Sequence, residues 1–274
     1  MSIEDRSEYL VETRNLIKRF GDVIALRNVN FRVGYNEVVG LVGDNGAGKS
    51  TLVKTITGTY APDGGEIWIK GRRFKRITPK IAKALGVEIV HQERTIAENQ
   101  PIWRNIFMGR ELTNSLGFLK IREMEEATMK LIKEMGFKSE IIYPGKLART
   151  LSGGYKQGVQ IARALYFKAD LVILDEPTIQ LSLSEVNRVL EFVKDLKKRG
   201  KSCVFITHNI YHVYPVADRF AIMDRGRIVA EFWKSDLSIE DLSNILVTIA
   251  RTGTIPVEYR EINLVSRPLE YASS

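Results

Sequence analysis

Three apolar runs open the chain, YLVETRNLIKRF, VIALRNVNFRV and VVGLVG, separated by the turn signals GD and GYNE. Runs of this length and composition, broken by Gly, Asp and Asn, predict strands over residues 8 to 42. The last of them is apolar throughout, which predicts a strand buried on both faces. STLVKTITG then predicts a helix stopped by Gly58, PDGG a turn, and EIWIKG a further strand. From about residue 93 to 165 the pattern lengthens to helical periodicity, as in REMEEATMKLIKEMGF with Gly136 as its stop, and strand signal nearly vanishes. That stretch is expected to form an inserted helical lobe. LVILD, SEVNRVLEFVKDLKKR, SCVFITH, IYHVYPVAD and FAIMD then alternate strand with helix. Continuous apolar strands alternating with helices predict an α/β fold whose parallel sheet is covered on both faces. The tail, RTGTIPVEYREINLVSRPLEYASS, has scattered apolar residues and two prolines, compatible with packing on the core or with extension.

Composition narrows the class. At 274 residues the chain suits one large domain with an inserted lobe, or two small domains. Its 44% apolar and 27% charged residues are those of a globular protein and argue against disorder. No apolar stretch approaches the ~18 residues a spanning helix needs, and MSIEDRSEYLVE has no apolar core of a secretory signal, so a cytosolic protein is expected. Cys203, the single cysteine, lies in the run SCVFIT and is expected to be a buried thiol with no disulfide or metal role. His91, His208 and His212 are too dispersed for a histidine cluster. The net charge of +8 concentrates at residues 70–83 and 194–201. The second group reads as a helix C-terminus, cations complementing the dipole with Gly200 just beyond. The first reads as a solvated face, and without interleaved aromatics no nucleic-acid partner is expected.

The chemistry lies in a few short segments. GDNGAGKST follows a strand, opens a helix and fits G-x-x-x-x-G-K-[ST] through Gly43, Gly48, Lys49 and Ser50. Glycines there let backbone N–H groups turn onto a β-phosphate, Lys49 can neutralise β/γ oxygens, and the Ser50 hydroxyl can ligate Mg²⁺. LVILDEP ends a buried strand in two carboxylates whose side chains are expected to diverge by strand alternation. Asp175 then suits the Mg²⁺ shell and Glu176 the general base. His208 in ITHN ends another strand, at the same sheet edge as Asp175 if the strands are parallel. Gln92, in VEIVHQE, is polar at a further strand end. LSGGYKQ, from Leu151 to Gln157, is a second glycine-rich turn opening a helix, a second anion cradle about 100 residues beyond the first.

In this order and spacing GDNGAGKST, HQE, LSGGYKQ, LVILDEP and ITHN resemble the ATP-binding cassette (ABC) ATPase family, over roughly residues 8 to 235. The resemblance implies a P-loop NTPase with a mixed-sheet core, a small antiparallel β subdomain and an inserted helical lobe. The ABC domain would occupy residues 1–250, with core 1–92 and 165–250, lobe 93–164 and a tail 251–274. Gly43, Asp44, Asn45, Gly46, Ala47, Gly48, Lys49, Ser50 and Thr51 would hold ATP, and Phe20 would stack on adenine. Ser50, Gln92 and Asp175 would hold Mg²⁺. Glu176, His208, Lys49 and Gln92 would carry catalysis, His208 as the switch at the γ-phosphate. Two cassettes of this family pack head to tail, so Ser152, Gly153, Gly154 and Gln157 would cap the ATP of a second copy. VHQE with NIFMGRE, GTYAPDGGEI and THNIYHVYPVADRF resemble the ribose- and xylose-type sugar importer ATPases in single-cassette form. This implies a homodimer at the cytoplasmic face of the membrane beneath a permease, which meets the lobe around residues 94 to 110, with an external sugar-binding protein. A soluble ABC ATPase acting on nucleic acid or ribosomes, and a low-turnover regulatory subunit, are the alternatives. Two residues depart from the family pattern: Ser182 replaces an Asp in the loop after Glu176, which puts coupling between the two sites in question, and Gln180 replaces a small residue.

Overall fold

The computed structural model describes residues 8–90, 96–135, 137 and 142–266. The opening apolar runs form β1 (Tyr9–Phe20) and β2 (Val23–Gly34), a hairpin closed at the pair Phe20↔Val23. Gly21 turns the chain there with φ of 56°, a left-handed conformation that costs a glycine nothing. After β3 (Val38–Val42) and α1 (Lys49–Ile56), β4 (Gly64–Ile69) and β5 (Arg72–Phe74) complete an antiparallel sheet of order β2-β1-β4-β5. This is the small β subdomain expected from the resemblance.

The second sheet contains β6 (Val87–Val90), β7 (Leu171–Asp175), β8 (Ser202–Thr207), β9 (Arg219–Asp224) and β10 (Arg227–Trp233), in the order β10-β9-β3-β8-β7-β6. Its pairs are parallel except β9 with β10. Every residue of β3, β7 and β8 is buried, as their uninterrupted apolar runs require of strands covered on both faces. The register Val42↔Thr207 and Asp175↔Ile206 brings the C-terminal ends of β3, β7 and β8 to one edge. Open parallel sheets bind ligands along that edge.

Helices cover both faces. α2 (Pro79–Ala84), α6 (Leu183–Lys198), α7 (Ile210–Val213) and α8 (Ile239–Thr252) belong to the sheet-bearing part; α3 (Ile102–Phe107), α4 (Ile121–Glu134) and most of α5 (Gly153–Tyr166) form the inserted lobe. Lobe and sheet share one hydrophobic cluster, in which Ile106 and Phe107 join Val172, Leu174 and Phe205. A second cluster lies between the other face of the sheet, the antiparallel subdomain and α1. Gly136 lies outside the described residues.

The basic run at 194–201 ends α6, with Lys197 and Lys198 in its last turn and Gly200 left-handed at φ of 70°. Cys203 is wholly buried, and burial pushes its thiol up from the ordinary range. α8 runs past residue 250 to Thr252 and stops at left-handed Gly253. The tail then folds back: the Tyr259 hydroxyl donates to Asp241 at 2.7 Å, and buried Asn263 accepts the Glu231 N–H at 2.9 Å. The tail as far as residue 266 therefore packs against α8 and β10.

Candidate functional site

Residues 43 to 48 leave the end of β3 and turn into α1, and close approaches explain their glycines. A Cβ on Gly43 would stand 2.1 Å from the Met223 carbonyl oxygen, and one on Gly48 2.8 Å from that of Ala25. Both also take positive φ, 145° and 108°, so glycine is needed for space and for conformation. The first N–H groups of α1 have no intrahelical acceptor, a geometry suited to an anion. Lys49 is the first residue of the helix and buried, its ammonium donating to the carbonyls of Gly43 at 2.6 Å and Asp44 at 2.8 Å. Burial pulls its pKa below the ordinary lysine range, partly offset by Glu176, Asp44 and Asp175. A cleft of 540 Å³ is lined by Asn45, Gly46, Gly48, Lys49, Ser50 and Thr51 from this segment, and by Glu176 and His208, the residues that follow β7 and β8.

The Ser50 hydroxyl donates to Asp175 Oδ1 at 3.0 Å, so the last residue of β7 meets the first turn of α1. Glu176 departs from the strand alternation expected of it. β7 ends at Asp175, and Glu176 takes a left-handed backbone with φ of 51°, its N–H donating to the Ile206 carbonyl at 3.1 Å. The two carboxylates diverge because the chain turns between them. A left-handed Glu costs about 1–3 kcal/mol and is typical of functional sites. Glu176 Oε1 lies 3.1 Å from His208 Nδ1, whereas its buried Oε2 has no hydrogen-bond partner among the described residues.

Two contacts were not legible as site features. His212 Nδ1 bonds the Thr178 hydroxyl at 2.9 Å, and Nε2 lies 3.3 Å from the Asn209 amide. Desolvation, with His208 adding to it, lowers the pKa of His212, and the imidazole ties α7 to the loop after Glu176. Val23, Ala25, Arg27 and Arg225 also line the cleft. They come from the hairpin and the β9–β10 turn, where no motif marks them.

Phe20 is 44% exposed at the hairpin end, its ring edge-on to Tyr60 at 5.1 Å. The cleft is lined by Val23, its register partner, rather than by Phe20 itself. Gln92 lies outside the described residues. Ser152 stands at the position before α5, and Gly153 and Gly154 begin it. Neither they nor Gln157, whose buried Oε1 has no hydrogen-bond partner among the described residues, line the cleft that contains Lys49. The second glycine turn therefore does not serve the cradle of its own chain.

Among the described residues no group of three or more His, Cys, Asp and Glu is arranged to hold a metal. Adjacent Ser50 and Asp175 oxygens fit a hard cation that draws its remaining ligands from phosphate and water. Among the described residues no helix is long and apolar enough to cross a membrane.

The sequence model of the family described as ABC transporter matches residues 26–179. The xylose/arabinose import ATP-binding protein XylG of Sulfolobus acidocaldarius is 40% identical over 241 residues, 88% of this chain and 95% of that protein. A putative ribose/galactose/methyl galactoside import ATP-binding protein of Pseudomonas fluorescens is 35% identical over 95% of this chain, which spans 50% of its length. Among solved structures, an ATP-binding cassette of an ABC transporter superposes with a TM-score of 0.76 at 25% identity, covering 89% of this chain and 97% of that one.

Proposed function

Because the chain belongs to the ABC transporter family, we propose that it is the ATP-hydrolysing subunit powering a sugar importer. The observation that carries this reading is one cleft lined by Lys49, Ser50, Glu176 and His208, with Asp175 bonded to Ser50 beside it. The sugar class is supported by the import functions named for the relatives, and the single cassette by the 95% coverage of the xylose/arabinose protein.

In this reading the backbone N–H groups of residues 43 to 51 cradle the β-phosphate, and the Lys49 ammonium turns from the loop carbonyls to the β and γ oxygens. Phe20 stacks on adenine beside the hairpin. Ser50 and Asp175, with Gln92, hold Mg²⁺, which supplies charge neutralisation of the phosphates when bound. Glu176 is the general base: Oε2, buried and without a partner among the described residues, accepts the proton of the attacking water. His208 holds the opposite oxygen of that carboxylate through Nδ1, and its half-exposed ring faces the γ-phosphate. Phosphoryl transfer needs mainly such positioning and charge stabilisation.

The signature turn at Ser152 to Gly154, with Gln157, closes on the nucleotide of a second copy, so two chains pack head to tail. The lobe meets the permease at the cytoplasmic face of the membrane, and an external sugar-binding protein delivers the substrate. Ser182, where the resemblance expects an Asp, stands at the cap of α6.

Glu176→Gln should bind ATP but hydrolyse it about 10²- to 10⁴-fold more slowly. The mass of that variant in solution should double with MgATP, and Ser152→Arg should abolish the doubling. A Glu176→Gln protein with parental turnover would remove the base assignment, and a dimer insensitive to Ser152→Arg would remove the head-to-tail arrangement.

A further inference from the structure

Two segments with opposite duties meet on the first turn of α6. One is the loop from Glu176 to Ser182, which leaves this chain's own base. The other is the turn at Ser152 to Gly154, which on the reading above serves the partner's nucleotide. Glu185 lies between them. Its Oε2 accepts the Ser182 backbone N–H and the Ser182 hydroxyl, each at 3.0 Å, while its Oε1 accepts the Gly154 N–H at 3.3 Å. The Ser152 side chain also helps to hold the Glu185 carboxyl below its ordinary range.

The contacts of Oε2 amount to a helix capping box and would occur in any helix that starts this way. The contact of Oε1 does not belong to that box, because it leaves the helix and reaches the start of α5. The backbones support it by coming close. A Cβ on Gly154 would stand 3.1 Å from Glu185 Cβ and 3.2 Å from its Cα and carbonyl oxygen, and one on Gly153 2.4 Å from Leu181 Cδ2. The glycine pair thus lets the signature turn sit directly on α6, in addition to any role toward phosphate. Beside it, the Arg188 guanidinium, one turn beyond Glu185 on α6, stacks at 3.8 Å on the ring of Tyr155, the residue after Gly154. The loop behind the contact has few degrees of freedom. Glu176 and Gln180 are both left-handed, and the N–H groups of Ile179 and Leu181 donate back to Glu176 and Thr178 at 3.3 and 3.4 Å.

We propose that Glu185 is a positioning residue which holds the signature turn against the loop following Glu176, and so sets the geometry that this chain presents to the partner's ATP. The inference rests on head-to-tail packing. It assigns to Glu185 a role at a site whose cradle belongs to the other chain. A movement of the loop at Glu176 reaches the partner's nucleotide through one carboxylate.

The test uses mixed dimers of differently tagged full-length chains in which only one nucleotide site can work. One chain carries Lys49→Ala and so lacks a usable cradle. The surviving cradle, on the other chain, then faces the signature turn of the Lys49→Ala chain. Glu185→Ala on the Lys49→Ala chain should lower ATP turnover about tenfold, the factor that one lost charge-assisted hydrogen bond carries. On the cradle-bearing chain it should lower turnover less than about threefold, an allowance well under one such bond. Glu185→Gln, which keeps one acceptor and the side-chain shape, should recover part of the rate; it also serves as the working variant if Glu185→Ala does not fold. Nucleotide affinity of a separated Glu185→Ala chain that keeps Lys49 should equal that of the parent, because its cradle is untouched. Equal losses in both arrangements, or a larger loss on the cradle-bearing chain, would overturn the proposal. Ser152→Arg in the same two arrangements is the control on packing. If it inactivates from the cradle-bearing chain, head-to-tail packing fails; if it acts only from the Lys49→Ala chain while Glu185→Ala does not, packing stands and the role of Glu185 fails.

Discussion

Replacing a glycine inside a helix by alanine ordinarily stabilises, by about 1 kcal/mol, and Gly158 in the middle of α5 invites that substitution. Its surroundings reverse the sign. An added Cβ would lie 2.4 Å from Phe137 Cζ and 2.5 and 2.7 Å from Phe192 Cε2 and Cζ, all inside the closest approach carbon atoms tolerate. The two rings are an edge-to-face pair with centroids 5.1 Å apart, both buried, so neither can swing into solvent. Forcing a methyl group into such a core costs about 1–3 kcal/mol, and splaying the ring pair forfeits about 0.5–1.5 kcal/mol more. Set against the helix gain, Gly158→Ala should destabilise by about 0.5–3.5 kcal/mol, which lowers the melting temperature by about 1–14 °C in a domain of this size. Thermal unfolding followed by far-ultraviolet circular dichroism measures this directly. Phe192→Leu in the same chain should return part of the loss, because the two sites share one volume. A single variant that melts at or above the parent temperature would refute the argument, since helix propensity would then outweigh packing at this position.

Two further outcomes are expected. Phe20→Ala should weaken ATP binding by about 1–3 kcal/mol through lost stacking on adenine while leaving the melting temperature unchanged, because the ring is 44% exposed; parental affinity in a nucleotide titration would dismiss the stacking role. The Glu185 carboxyl is held at about 2 against an ordinary 4.5, chiefly by the Ser182 N–H, with the Gly154 N–H adding to it against desolvation. A group whose folded pKa is depressed contributes stability that is whole above its unfolded value and is lost as the pH falls toward the folded one. The loss should therefore fall between about pH 4.5 and 2, be moderated by the partial exposure of the carboxylate, and vanish in Glu185→Gln; superimposable acid unfolding curves for the two proteins would rule it out.

Much of the site was legible because its signals are local. A glycine loop between a strand and a helix, and an acidic pair closing an apolar run, announce both residue type and position at the sheet edge. The register of β3, β7 and β8 gathers Lys49, Asp175 and His208 there, as parallel pairing requires. What escaped depends on backbone torsions or on contacts between distant segments. Strand alternation gave Glu176 a plausible direction, yet a left-handed backbone at φ of 51° aims it, and no periodicity encodes a single residue leaving the strand. The bond of His212 to Thr178 joins residues 34 apart, and that of Glu185 to Gly154 residues 31 apart. Neither pair shares a motif. The tail had no period to read because single side chains, Tyr259 and Asn263, hold it rather than an amphipathic face.

Ser182 shows how a departure read from sequence changes meaning once its neighbours are known. The resemblance marks this position as one where an Asp communicates between sites, and a serine there suggests that the link is weakened. In the folded chain the Ser182 hydroxyl and N–H both point at the Glu185 carboxylate, so an anion stands beside the loop after all, supplied from the first turn of α6. The relocation has a consequence that an Asp at position 182 would not share. A carboxylate on the helix can bond the loop with one oxygen and the signature turn with the other, whereas the two-carbon side chain of Asp spans less distance. Gln180 fits the same arrangement: its left-handed backbone, φ 58°, turns the loop into α6 and brings Ser182 to the cap. Of the two departures, one sets the path of the loop and the other gives Glu185 its donors. If Glu185 acts as proposed, coupling between the sites would run through α6 rather than be lost.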